Sequence, residues 1–169
     1  MKTLVVYDSL YGNTKKIAEV VADTCKRYGE VRLEPAERPN SIELQDEDMV
    51  FVGSPTHNQN LSPIMKAQLE NTPKQSLRGV KAAAFDTRYE LPNWLLWLSA
   101  GTAANKLAAK LAKLGAKVIA RPESFLIQRD QEGPLKEGEL ERAKAWAKTV
   151  LEKVQAEQPL VQASKVEVA

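Results

Sequence analysis

The chain has 169 residues, 43% hydrophobic and 27% charged, and its 24 basic against 22 acidic side chains leave a net charge of +2. That length fits one domain and can remove roughly 70% of the unfolded surface from water, so the core needs no disulfide or metal staple. One cysteine, Cys25, and one histidine, His57, exclude an internal disulfide and any zinc site of three or four Cys and His ligands. The near-balanced charge argues against a nucleic-acid surface.

The first apolar run, Leu4-Val5-Val6-Tyr7, ends at Asp8 and is far too short for a secretory h-region. It reads instead as a strand. Further short apolar runs lie at residues 31–33, 49–52 and 80–85, and a fifth starts at Val118-Ile119 and continues toward Phe125-Leu126-Ile127. Between them, apolar residues recur at helical spacing. Ile17, Val20, Val21, Thr24 and Tyr28 form a stripe that stops near Gly29, and Cys25 beside it reads as a half-buried small hydrophobe, with no partner that would activate a thiol. Pro63 and Pro73 frame a short helix with Ile64, Met65 and Leu69. Ala103, Leu107, Leu111 and Leu114 form the next, closed by Gly115. Leu140, Ala143, Ala147, Val150 and Leu151 follow Gly138 as the last. Strands alternating with helices predict a parallel sheet built from βαβ units. Periodicity fades after Pro159, so residues 1–158 are one domain and residues 159–169 a tail. The most apolar stretch, Trp94-Leu95-Leu96-Trp97-Leu98, falls well short of the roughly 18 residues that span a bilayer, and a cytoplasmic protein is expected.

The first strand runs straight into Ser9-Leu10-Tyr11-Gly12-Asn13-Thr14 and then a helix. A helix start carries unpaired N–H groups and partial positive charge; the hydroxyls of Ser9 and Thr14 and the Asn13 amide add donors, and Gly12 lets the backbone curl close. That is a place for a phosphate. The string matches neither GxGxxG nor GxxxxGK[ST], which argues against a dinucleotide or a nucleoside triphosphate.

The segment Val6-Tyr7-Asp8-Ser9-Leu10-Tyr11-Gly12-Asn13-Thr14-Lys15-Lys16-Ile17-Ala18 resembles the opening of flavodoxins, in which this loop holds the 5′-phosphate of FMN. Gly53-Ser54-Pro55-Thr56-His57-Asn58 is similar to the family's first flavin loop, also found in the flavodoxin modules of flavodiiron proteins, and Phe85-Asp86-Thr87-Arg88-Tyr89 stands where the family places its second. The resemblance extends over residues 1–155. It implies a doubly wound five-stranded parallel sheet of order 2-1-3-4-5, whose ligand crevice lies at the carboxyl ends of strands one and three. It further implies that Ser9, Leu10, Tyr11, Gly12, Asn13 and Thr14 hold the phosphate, that Pro55, Thr56, His57 and Asn58 line one edge of the isoalloxazine, and that Asp86, Thr87, Arg88 and Tyr89 meet its pyrimidine edge and face. Tyr89 is the candidate stacking ring. Arg88 would favour an anionic reduced flavin and Asp86 would oppose it. No catalytic residue is assigned, and His57 reads as a lining or packing residue.

Three features depart from the family pattern. No glycine occurs between Thr56 and Ser62 to serve the peptide flip that steadies one-electron-reduced flavin, although Asn58 or Asn60 tolerates positive φ. The net charge is +2 where flavodoxins are acidic. The second flavin loop runs on through Trp94 and Trp97 toward Lys106, Lys110, Lys113, Lys117 and Arg121, with no acidic residue between Leu91 and Pro122. The lysines, spaced 4, 3, 4, would share one helix face, and with the tryptophans they suggest docking of an acidic redox partner or a homodimer through residues 94–98. The expected function is FMN-based electron transfer between a donor and an acceptor. An FMN-dependent reductase or oxidase of a quinone or porphyrinogen, and a flavin-free binding module, are the alternatives on the same fold.

Overall fold

The computed structural model describes residues 1–37, 43–44, 46–57, 60–90, 102–128 and 132–157. Strands β1 (Lys2–Tyr7), β2 (Glu30–Pro35), β3 (Met49–Pro55), β4 (Lys81–Tyr89), β5 (Lys117–Val118) and β6 (Glu123–Ile127) alternate with helices α1 (Asn13–Cys25), α2 (Pro63–Asn71), α3 (Ala103–Lys113) and α4 (Glu139–Ala156). The sheet order is β2-β1-β3-β4-β5, with β6 also pairing β4, and every pairing is parallel. The expected order therefore holds, with its fifth position divided: β5 pairs Lys81 and Ala82 of β4, and β6 pairs the stretch from Phe85 to Tyr89. Pro122 lies in the break between them, where a residue without an N–H cannot donate to a ladder.

The sheet is covered on both faces, which is why its central strands are continuous apolar runs rather than alternating ones. Leu4, Val6, Val50, Val52, Ala82 and Ala84 point to one layer with Met65, Leu69, Leu107 and Leu111 from α2 and α3. Val5, Tyr7, Phe51, Ala83 and Phe85 point to the other, against Ile17 and Val21 of α1 and Ala147, Val150 and Leu151 of α4. Trp146 of α4 packs edge-on against Phe51, Phe85 and Phe125, with ring centroids 5.6, 6.0 and 5.9 Å away. Phe85 lies across Gly53, its register partner on β3, and a Cβ at Gly53 would come within 2.2 Å of the ring. Cys25 is buried outright rather than halfway, and burial pushes its thiol up to about 12, so it is an unreactive core residue.

The lysines are arranged differently from the sequence expectation. Gly115 takes φ +98° just past the last turn of α3, so Lys117 belongs to β5 and not to the helix. Lys110 pairs with Glu70 of α2 at 3.1 Å and Lys117 with Glu157 at 2.8 Å, while Lys106 donates to Asn60 Oδ1 at 2.9 Å. The acidic partners lie outside the acid-free segment but beside it in space. Residues 91–101, with Trp94 and Trp97, the C-terminal residues 158–169, and Asn58 lie outside the described residues. Among the described residues no helix is long and apolar enough to cross a membrane, and no three His, Cys, Asp or Glu side chains gather to hold a metal ion.

Candidate functional site

Parallel strands send all their carboxyl ends to one edge of the sheet, and the loops leaving β1 and β3 diverge there to opposite faces. A cleft opens at that edge, lined by Leu10, Tyr11, Pro55, Thr56, His57, Thr87, Arg88, Tyr89 and Ile127. The three segments singled out in the sequence thus meet in one place. Ile127 is the lining residue that sequence reasoning missed. It comes to the cleft because β6 pairs β4 as far as Tyr89, and the run Phe125-Leu126-Ile127 was its available signal.

The same pairing changes the nature of the second flavin segment. Thr87, Arg88 and Tyr89 are strand residues of β4, all three paired with β6 and Thr87 also with β3, rather than members of an irregular loop. The β3 segment, in contrast, leaves its strand after Pro55 and closes on itself: His57 N–H donates to Asn60 C=O at 2.9 Å and Asn60 N–H to His57 C=O at 2.8 Å. Asn60 does not take positive φ.

At the β1 end, Gly12 occupies the N-cap of α1 with φ 85° and contributes no side-chain cap. This left-handed conformation suits glycine, which has no side chain to take the first-turn amides. Ser9 Oγ takes one amide of that turn, Lys15 N–H, at 3.1 Å. The side chains of Asn13 and Thr14 turn inward. Asn13 Nδ2 donates to Gly133 C=O at 2.7 Å, and Thr14 Oγ1 lies 2.7 Å from Thr87 Oγ1 in a buried pair. Gly133 precedes a short return of the chain in which Leu135 bridges Ile127 antiparallel.

Asp86 lies under the cleft wall rather than in it, with 0% of its surface exposed. Its Oδ2 accepts from Thr56 Oγ1 and from Ala104 N–H, both at 2.9 Å, while Oδ1 has no hydrogen-bond partner among the described residues. Burial pushes its carboxyl above the ordinary aspartate range. The Ala104 amide, the Ser124 hydroxyl beside it, the Thr56 hydroxyl and the Arg88 guanidinium work against that rise. At the outer rim a bond from Lys136 to Glu90 holds the Glu90 carboxyl below its usual value.

Comparison with known proteins agrees with this geometry. The flavodoxin family profile matches residues 5–146. A flavodoxin of Clostridium saccharobutylicum is 30% identical over 89 residues, 52% of this chain and 56% of that protein, so the match spans about half the length of that curated relative. A flavodoxin from the domain Archaea has the same fold with TM-score 0.71 at 22% identity, over 92% of this chain and 99% of that one. Rubredoxin:oxygen oxidoreductase of Desulfovibrio gigas matches with TM-score 0.70 at 23% identity, over 92% of this chain but 36% of that chain. The structural likenesses speak for the fold, and the profile match over most of the chain speaks for the family. The chain belongs to the flavodoxin family, whose members bind FMN and transfer electrons with it.

Proposed function

We propose that this chain binds FMN in the cleft at the ends of β1, β3 and β4 and carries electrons on it between redox proteins. The observation that carries the reading is the exposure around the cleft: Leu10, Tyr11 and Tyr89 are 68%, 45% and 39% exposed, and all three line it. Large apolar side chains left in water around one concave site suit a flat aromatic ligand. Arg88 Nε is buried without a hydrogen-bond partner among the described residues, a donor left over for an oxygen of the ring's pyrimidine end. The start of α1, whose N-cap glycine supplies no side-chain cap, suits a phosphate.

In this reading the main-chain N–H groups of Gly12, Asn13 and Thr14, with the Ser9 hydroxyl, hold the phosphate. The Asn13 and Thr14 side chains brace the loop from behind. Pro55, Thr56 and His57 line an edge of the ring and Tyr89 stacks on its face. Bound there, FMN supplies a reversible store of one or two electrons, while the protein orients it and shields part of it from water. The pairing of Lys110 and Lys117 inside the chain weakens the case for an acidic partner, so the docking face is assigned to the apolar rim at Leu10 and Tyr11.

The test is flavin binding by fluorescence quenching, with FMN and riboflavin side by side. FMN should bind at least tenfold more tightly, and Gly12→Val should erase that difference while sparing riboflavin. Equal affinity of the wild type for both flavins would remove the phosphate from this loop. Steady-state turnover of a quinone with NADH or NADPH, without an added reductase, would convert the carrier into an enzyme.

A further inference from the structure

The start of α3 is capped by the cleft wall. A helix begins with four amides that have no partner within it. Lys106 N–H already makes the first bond of the helix itself, to Thr102 C=O at 3.2 Å, and Asn105 N–H is taken locally by the Thr102 hydroxyl at 3.3 Å. The two amides before them go to the wall of the cleft: Ala103 N–H donates to Thr56 Oγ1 at 3.3 Å and Ala104 N–H to Asp86 Oδ2 at 2.9 Å. Thr56 Oγ1 in turn donates to the same Asp86 oxygen, and Thr56 N–H is held by Thr87 C=O at 2.9 Å. One fully buried carboxylate oxygen therefore joins a residue that lines the cleft to the first turn of a helix on the α2/α3 face of the sheet. A second tie runs in parallel, from Lys106 to Asn60 at the far side of the His57–Asn60 bridge.

We infer that Asp86 is a positioning residue that couples occupancy of the cleft to the order of α3. The inference rests on FMN binding as proposed above. A ligand against Thr56 restricts the wall, and because Thr56 and Asp86 are the cap, the same restriction closes the helix start. Coupling of this kind is reciprocal: whatever factor FMN contributes to closing α3, a closed α3 contributes to FMN affinity. Loss of a helix cap raises local opening by about tenfold, which sets the size of effect to look for.

The experiment is amide hydrogen exchange of the full chain with and without FMN, read at α3, beside an FMN titration of each variant. In the wild type, FMN should slow exchange of the α3 amides about tenfold. Asp86→Ala should abolish that slowing and weaken FMN by a matching factor. Should Asp86→Ala fail to fold, Thr56→Val removes the bridging hydroxyl with less disturbance, and it should lose the FMN-dependent slowing that Thr56→Ser retains. The coupling is overturned if FMN binds the wild type without altering α3, or if Thr56→Val keeps the full response. Absence of FMN binding by the wild type overturns both this inference and the reading beneath it, and the titration separates that result from the others.

Discussion

Thr14 Oγ1 and Thr87 Oγ1, 73 positions apart in the chain, lie 2.7 Å from each other in the buried interior. One donates to the other, and the pair ties the first turn of α1 to the end of β4. Changing either residue to valine keeps the shape and leaves the other hydroxyl buried without its partner, at a cost of about 1–3 kcal/mol. Changing both removes the stranded hydroxyl too. The double variant should therefore lose clearly less stability than the sum of the single ones, in a urea-unfolding cycle. Simple additivity would mean that the pair contributes nothing.

Gly53 makes room for Phe85. Because a Cβ there would lie 2.2 Å from the Phe85 ring, Gly53→Ala should overpack the α1/α4 layer and cost about 1–3 kcal/mol. For a chain of this size that lowers the melting temperature by roughly 2–4 °C per kcal/mol. Adding Phe85→Leu should recover part of the loss. An alanine variant as stable as the wild type in thermal unfolding would show that the ring is free to move aside.

The raised Asp86 carboxyl makes a prediction about pH. A folded-state value above the unfolded one, near 3.9, means that the fold favours the protonated form. The stabilising contribution is present below the unfolded value and is lost as pH rises through the folded one. Asp86→Asn has no such dependence. The stability of the Asn variant relative to wild type should therefore increase on going from about pH 4 toward neutrality, by about 1.4 kcal/mol for each pH unit by which the fold raises the carboxyl. Urea unfolding at a series of pH values checks this, and a difference that stays flat would place the Asp86 carboxyl at its ordinary value.

The β3 loop predicts the course of reduction. No glycine occurs between Thr56 and Ser62, and His57 C=O is already engaged by Asn60 N–H at 2.8 Å. Turning that carbonyl toward a bound ring would forfeit the bond, at about 1 kcal/mol. During anaerobic titration of the FMN-loaded protein with dithionite, little of the blue one-electron-reduced flavin should accumulate. Its near-complete formation at half reduction would mean that the loop rearranges.

Much of the fold was legible because its signals are local. Leu4-Val5-Val6-Tyr7, the run from Met49 and the run from Lys81 are apolar on both faces, as strands inside a doubly wound sheet must be, and Gly115 and Gly138 mark helix boundaries by their own backbone freedom. Thr87, Arg88 and Tyr89 line the cleft, yet their strand character was not legible, since it comes from β6 some 38 residues downstream by register. The lysine stripe misled for a related reason: spacing along the chain says which residues share a helix face, and nothing about Glu70 and Glu157, which reach Lys110 and Lys117 from other elements.

The sequence by itself determined the βαβ alternation, the helix stripes and the three loops that gather at one sheet edge, because parallel connections leave those loops nowhere else to end. Only the tertiary structure decided which way their side chains point. Asn13, Thr14 and Asp86 carry the polar groups expected of a ligand site, yet each is turned inward to a partner 120, 73 and 18 positions away in the chain. A buried polar group must find a hydrogen-bond partner wherever the fold supplies one, and that partner is set by packing across the sheet rather than by neighbours in the chain.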